Sequence, residues 1–317
     1  MTASLALVLA ALLPVFGLVL VGVLLARWRI LGGEDSLGLD RFVYYVALPA
    51  QLVVSVANTD IRNHFDGRAL LAAALAYTLG LVGAWWSTTH LEAAQRGPVL
   101  NGVARPNGAF IGLPIIYLLA QGLPEVEGQA LKTAYTVLLA GMVPCFNLGA
   151  VVAFTLPRHG FSFAGMLQSL AELPRNPIIL GSIAGIILSL VRPGLLTGSV
   201  PGTMLDMLAA PAIPLALVLT GSHLDLAAIR AQPTLLATAT FGKLLLLPAL
   251  TWGLCLALGV KGPACAAAVV LMACPTAMAS VSMARILAAD HILMAALIAT
   301  STVAAPLTVL AWLLALR

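Results

Sequence analysis

The sequence is short of charge and has no grouping of side chains that suggests catalysis or metal binding. Only 9% of its 317 residues are charged, whereas about a quarter are charged in a typical soluble domain. Its four cysteines lack paired spacing, and no helical pattern brings two of its five histidines together. We therefore expect no disulfide framework, no bound metal or cofactor, and no catalytic site.

The charges that are present are too few or too peripheral to define a charged partner. The formal net charge is only +4 and is spread over predicted loops, which gives no support to nucleic-acid binding. No aspartate or glutamate is predicted deep in an apolar segment, and aspartates such as Asp206 and Asp290 lie near segment ends. This pattern argues against a buried carboxylate cluster that would bind sodium or relay protons.

Apolar residues make up 61% of the chain, and the mean hydropathy is +1.04. The N-terminal run has no basic start and exceeds the roughly 7–15 apolar residues of a secretory signal, so it is predicted to be a transmembrane helix. Windows of about 20 residues, the length that crosses the hydrocarbon core, predict an all-α, multi-pass protein of the cell (inner) membrane, in contact with the lipid bilayer. The ten predicted spans lie near 5–26, 41–57, 68–89, 97–120, 130–155, 176–191, 203–222, 233–257, 263–287 and 291–315.

The two halves of the chain share a repeat. Pro49 and Pro214 lie 165 residues apart (214 − 49). The same offset relates Asp60 to Asp225, and a Gly-Pro pair recurs at that offset as well. Five spans per copy is an odd number, so the second copy must enter the membrane from the opposite side, as in many secondary transporters. We predict a first five-helix repeat over 1–156, a cytoplasmic interfacial linker over 157–175, and a second, inverted repeat over 176–317.

The fourth span of each half is interrupted by proline, glycine and polar residues, in "ARPNGAFIGLPII" and "LMACPTAMASVSMA". A proline inside a helix removes a hydrogen bond, and lipid cannot satisfy the exposed backbone groups, so a break must face protein or a water-filled cavity. The N-termini of the resulting half-helices favour anions. A single interruption is compatible with a structural kink, but two in corresponding spans indicate a transporter's binding site.

Three polar residues near the predicted mid-membrane need separate interpretation. Arg105 could pair with a substrate carboxylate through its guanidinium; alternatively it neutralises a protein carboxylate or reaches the membrane surface. Lys243 lies about 10 residues into its span and could balance substrate charge or change its protonation state; alternatively it is a fixed structural cation. Gln51 could face the cavity or serve as an ordinary contact between helices, and the same choice applies to Asn58, Asn101 and Asn147.

Several stretches resemble the auxin efflux carrier family of bacteria, which also contains the plant PIN-type auxin exporters. The resemblance covers nearly the whole chain, and its most specific parts are Asn107-x-x-Phe110-x-Gly112-x-Pro114 and Arg41-Phe42...Leu48-Pro49. It implies ten transmembrane helices in two inverted five-helix repeats, with broken crossover helices 4 and 9, as in bile-acid symporters and sodium–proton antiporters. It also implies a scaffold domain, a crossover domain and an elevator-like alternation of access.

The same resemblance implies that the substrates are organic anions, such as auxin-like acids, malate or malonate. Asn107 matches a substrate-contacting asparagine of the PIN-type carriers. Bacterial relatives often place an amide shortly after the second-crossover proline, where this chain has Ala279. The predicted substrate-binding residues are Gln51, Arg105, Asn107, Gly108, Gly112, Pro114, Lys243, Pro275, Thr276, Ser280 and Ser282.

We therefore expect a carrier of small organic anions with no enzymatic activity. The alternative is a sodium- or proton-coupled symporter of bile-acid-like or other organic anions. The slight excess of arginine in the loops after the odd-numbered spans predicts that both termini lie outside the cytoplasm. Whether the protein forms a homodimer is left open by the sequence.

Overall fold

The computed structural model describes residues 2–32, 36–58, 66–159, 177–225, 228–230, 232–287 and 289–316. Within these residues all regular structure is helical, and one isolated β-bridge is the only extended pairing. The α-helices are Thr2–Arg27, Leu37–Phe42, Leu48–Ala57, Gly67–Ser87, Ala93–Ala104, Leu113–Gln121, Glu125–His159, Pro177–Val191, Val200–Ala209, Ala212–Ser222, Pro233–Phe241, Leu247–Ala257, Gly262–Ala273, Ala279–Ile286 and His291–Ala315. A 3₁₀-helix, Ala228–Arg230, and three π-helices, Val43–Ala47, Gly108–Gly112 and Gly242–Leu246, complete them.

Seven helical stretches in the described part of the chain are long and apolar enough to cross a membrane. This finding confirms the all-α membrane-protein prediction. The fourth and ninth predicted spans are absent from the seven because each is split by a break, leaving the shorter apolar helices Gly108–Gln121 and Gly262–Ala273. The sixth, Pro177–Val191, has 15 residues, which at 1.5 Å per residue is shorter than the hydrocarbon core.

Each π-helix precedes a Leu-Pro pair, and the proline explains the wider turn. A helical proline has no N–H, and its ring collides with the carbonyl four residues earlier. For Pro49, Pro114 and Pro248, that carbonyl belongs to the central residue of the π-helix. In the third case the carbonyl of Leu244 accepts a hydrogen bond of 2.8 Å from the Trp312 indole. Local widening therefore keeps all three helices continuous, and in the third an outside donor also satisfies the carbonyl.

The chain divides into two compact units. The first unit comprises Met1–Gly67, Ala109–Val143 and Leu173–His223; the second comprises Arg68–Gly108, Pro144–Glu172 and Leu224–Arg317. Each unit draws segments from both predicted repeats, so the repeat boundaries at 156 and 176 remain a prediction. Most of the predicted linker, including Phe161, Phe163 and Leu167, lies outside the described residues, as does Asp60.

In the first unit, glycines bring helices close together. Helix Thr2–Arg27 packs along Ala212–Ser222. A Cβ on Gly22 would collide with the Val218 carbonyl, and a Cβ on Gly221 would collide with the Val19 carbonyl. Small residues at helix contacts are the usual means of association in membranes, where lipid removes the hydrophobic driving force.

Candidate functional site

The second unit contains the breaks that interrupt the fourth and ninth predicted spans. The first break is residues 105–107: helix Ala93–Ala104 ends at an extended Arg105, and helical structure resumes at Gly108. The second break is residues 274–278: helix Gly262–Ala273 ends at an extended Cys274, and the next helix begins at Ala279. Both breaks lie inside the stretches in which the sequence predicts them.

The two breaks pair with each other through one antiparallel β-bridge. Pro106 and Thr276 form the isolated β-bridge. The Asn107 N–H donates to the Pro275 carbonyl at 2.7 Å, and the Ala277 N–H donates to the Arg105 carbonyl at 3.2 Å. The breaks therefore satisfy some of each other's exposed backbone groups, which membrane lipid could not do. The structure thus brings Asn107, Pro275 and Thr276 together.

Side chains cap the carbonyl ends of both interrupted helices. The Thr276 hydroxyl donates to the Gly102 carbonyl at 2.7 Å, near the end of Ala93–Ala104. The Lys243 Nζ donates to the Met272 carbonyl at 3.1 Å, near the end of Gly262–Ala273. The last carbonyls of a helix have no partner within that helix. Each cap therefore stabilises a helix end that the break creates.

Three buried polar side chains lie at or beside the breaks. Asn107 is 3% exposed and Thr276 is 1% exposed. Ser280, in the first turn of Ala279–Ile286, is fully buried, and its hydroxyl meets no hydrogen-bond partner within the described part of the chain. Because buried polar groups are nearly always hydrogen-bonded, the Ser280 hydroxyl is a candidate contact for a bound molecule.

Arg105 contacts the side chains of Asn147 and Met283 at the first break. One guanidinium nitrogen donates to the Asn147 amide oxygen at 2.8 Å. The other is 2.7 Å from the Met283 sulfur. These two contacts hold the guanidinium, a planar group with five N–H donors, beside the first break. Asn147 was one of several amides that the sequence left as alternatives, and its role as a partner of Arg105 appears only in the structure.

The remaining predicted residues fall in different surroundings. Gly108 is buried in the second unit, at the start of its π-helix. Gly112 and Pro114 belong to the first unit and are buried in continuous helix, so the break ends before them. Gln51 also belongs to the first unit, where its amide donates to the Ser55 hydroxyl at 3.2 Å. The side chain of Ser282 is not among those described.

Sequence reasoning missed Ser301. Its hydroxyl accepts a hydrogen bond of 3.1 Å from the Thr276 N–H at the second break. The available signal was the run of small polar residues at 300–302, inside the apolar helix His291–Ala315. In the same described residues, no group of three or more His, Cys, Asp or Glu side chains could hold a metal ion.

Comparison with known proteins identifies a family for the chain. A family described as "Membrane transport protein" matches residues 7–313, nearly the whole chain. No curated protein matches the chain. The family match and the several long apolar helices show a membrane-embedded protein. The chain belongs to this family of membrane transporters, the auxin efflux carrier family.

Proposed function

We propose that this chain carries small organic anions, in particular carboxylates, across the cell membrane and binds them beside its paired breaks. The observation that carries the proposal is the pairing of the two breaks in one unit, with buried Asn107 and Ser280 beside it. An amide and a hydroxyl are both able to donate hydrogen bonds to a carboxylate.

The electrostatics of the breaks favour an anion. The first break contains the cationic side chain of Arg105, and the N-terminus of Ala279–Ile286 adds a partial positive charge at the second. The N–H groups of Ser280 and Val281 already donate to the Ala277 and Met278 carbonyls. The Ser280 hydroxyl is a further donor in this first helical turn.

We further propose ten membrane segments in two inverted five-helix repeats. The offset of 165 residues in the sequence supports this arrangement, as does the interruption of both the fourth and the ninth predicted spans. Alternating access would be elevator-like, with the second unit carrying the bound anion because both breaks belong to it.

Ser280→Ala tests the proposed site. Because the buried hydroxyl has no hydrogen-bond partner among the described residues, its removal should not lower thermal stability, whereas a lost contact with substrate should weaken binding roughly three- to tenfold. Ser222→Ala is the matched control, since that hydroxyl donates to the Leu219 carbonyl in the first unit. Unchanged affinity in Ser280→Ala would place the substrate elsewhere.

The substrate class can be found by thermal stabilisation of the purified protein with mono- and dicarboxylates. A ligand stabilises the folded state by RT ln(1 + [L]/Kd), so the best substrates should give the largest shifts. Flux into vesicles with and without sodium and pH gradients then separates an uncoupled carrier from the cation-coupled alternative. If no carboxylate shifts the unfolding temperature, the proposed substrate class is wrong.

The orientation of the termini is tested by cysteine labelling in intact cells. Substitution at Ser4 should give a labelled protein, whereas substitution at Gly160, in the predicted cytoplasmic linker, should not. The reverse pattern would show that both termini are cytoplasmic.

A further inference from the structure

Lys243 is buried at membrane depth and contacts the C-terminal end of the neighbouring helix Gly262–Ala273. Its side chain is 0% exposed, and its Nζ donates to the Met272 carbonyl at 3.1 Å. Met272 is the penultimate residue of Gly262–Ala273. The Cys274 N–H reaches the Val270 and Leu271 carbonyls, whereas the Met272 carbonyl lies closer to the helix end, where the negative end of the helix dipole is. A cation is therefore favourable at this position.

The backbone holds Lys243 in place from a separate helix. The residue lies in the π-helix Gly242–Leu246, which Pro248 explains and which Trp312 supports through the Leu244 carbonyl. Single π-helical turns occur frequently at functional sites. Neither of the other two lysines is comparable, since Lys132 and Lys261 are not buried.

We infer that the Lys243 ammonium serves as a fixed, resident cation at the second break. At broken membrane helices, the unwound carbonyls and helix C-termini are the groups that coordinate a sodium ion. Here the amino group of Lys243 occupies such a position on the Met272 carbonyl. If the chain is an anion carrier, as proposed above, it has no need of a sodium ion at this break. Only this consequence rests on the proposed function.

The test is thermal unfolding of the purified full-length protein, without substrate, in sodium, methylammonium or choline chloride at equal ionic strength. The wild-type protein should unfold at the same temperature in all three salts. Lys243→Ala should unfold about 5 °C lower in choline chloride. Adding sodium should reverse that loss, and so should adding methylammonium, which supplies N–H donors in place of the deleted ones. Each effect should grow with the concentration of the cation.

Two further variants separate charge from space filling. Lys243→Met fills similar space without donors, so it should be destabilised and neither salt should restore it. Lys261→Ala removes an exposed lysine next to Gly262–Ala273 and should behave as the wild type does.

Three results would overturn the inference: sodium stabilises the wild type, Lys243→Met is as stable as the wild type, or neither cation restores Lys243→Ala. The comparison of the wild-type protein in the three salts still tests the inference if both Lys243 variants fail to fold. Because no substrate is present, a failure here leaves the proposed carboxylate transport untouched. Conversely, a failure to bind carboxylates would leave the salt pattern unchanged.

Discussion

The two breaks solve the same physical problem with different chemistry. At the first, a neutral hydroxyl from Thr276 caps the Gly102 carbonyl. At the second, the amino group of Lys243 caps the Met272 carbonyl. The difference indicates that the breaks are not interchangeable, although the sequence repeat relates them. In our proposal, the first break contributes the Asn107 amide and the Arg105 guanidinium to substrate binding. The second break contributes the hydroxyls of Thr276 and Ser280, and the Lys243 ammonium lies at the end of the helix that precedes it.

The largest expected effect is that of Asn107→Ala on substrate affinity. The Asn107 N–H that pairs with Pro275 is a backbone group, so alanine keeps the pairing of the breaks and removes only the amide. A hydrogen bond to a charged group is worth about 1.5–3 kcal/mol, so affinity should fall on the order of ten- to a hundredfold. Ligand binding and flux, measured side by side, check this expectation.

The matched control is Asn58→Ala, which removes an exposed amide in the first unit that accepts a hydrogen bond from Thr197. It should bind substrate as the wild type does. Normal binding and transport by Asn107→Ala would mean that the first break is a structural kink, and the comparison between the breaks would lose its functional meaning.

Arg105→Gln should have the next largest effect, and only for some substrates. The Arg105 guanidinium lies at the first break, where it contacts Asn147 and Met283. If it pairs with a second carboxylate, dianions should lose about tenfold in affinity while monoanions lose little. The measurement is a set of dissociation constants for mono- and dicarboxylates of matched chain length. Equal losses for both classes would instead assign Arg105 a structural role.

Thr276→Val tests the neutral cap of the first break. Valine matches threonine in shape but lacks the hydroxyl that donates to the Gly102 carbonyl. Leaving this buried acceptor without that donor should cost about 1 kcal/mol, or a few degrees in unfolding temperature. Thr300→Val is the control because its hydroxyl bonds only within its own helix, to the Ala296 carbonyl. Equal stability of the two variants would show that the cap is dispensable.

The sequence predicted where the helices break but not what holds the breaks. Proline and polar residues inside apolar runs conflict with helix formation locally, so the first and second breaks were predictable from their own residues. Their partners are distant in the chain: the Thr276 cap acts across 174 residues. The contact of Lys243 with Met272 likewise depends on helix packing that a single sequence does not reveal. For Pro114 the local sequence misleads instead. The sequence associates this proline with the break, whereas a π-helical turn accommodates it within continuous helix.

Gln51→Ala should have the smallest effect of the four variants. Gln51 lies in the first unit, and its amide already donates to the Ser55 hydroxyl, which in turn contacts the Tyr117 hydroxyl. An amide engaged in such a network offers less to a ligand than the buried groups at the breaks, so affinity should change by about twofold or less. The same binding assay measures it. A loss as large as that of Asn107→Ala would show that the first unit contributes to the site as strongly as the breaks do.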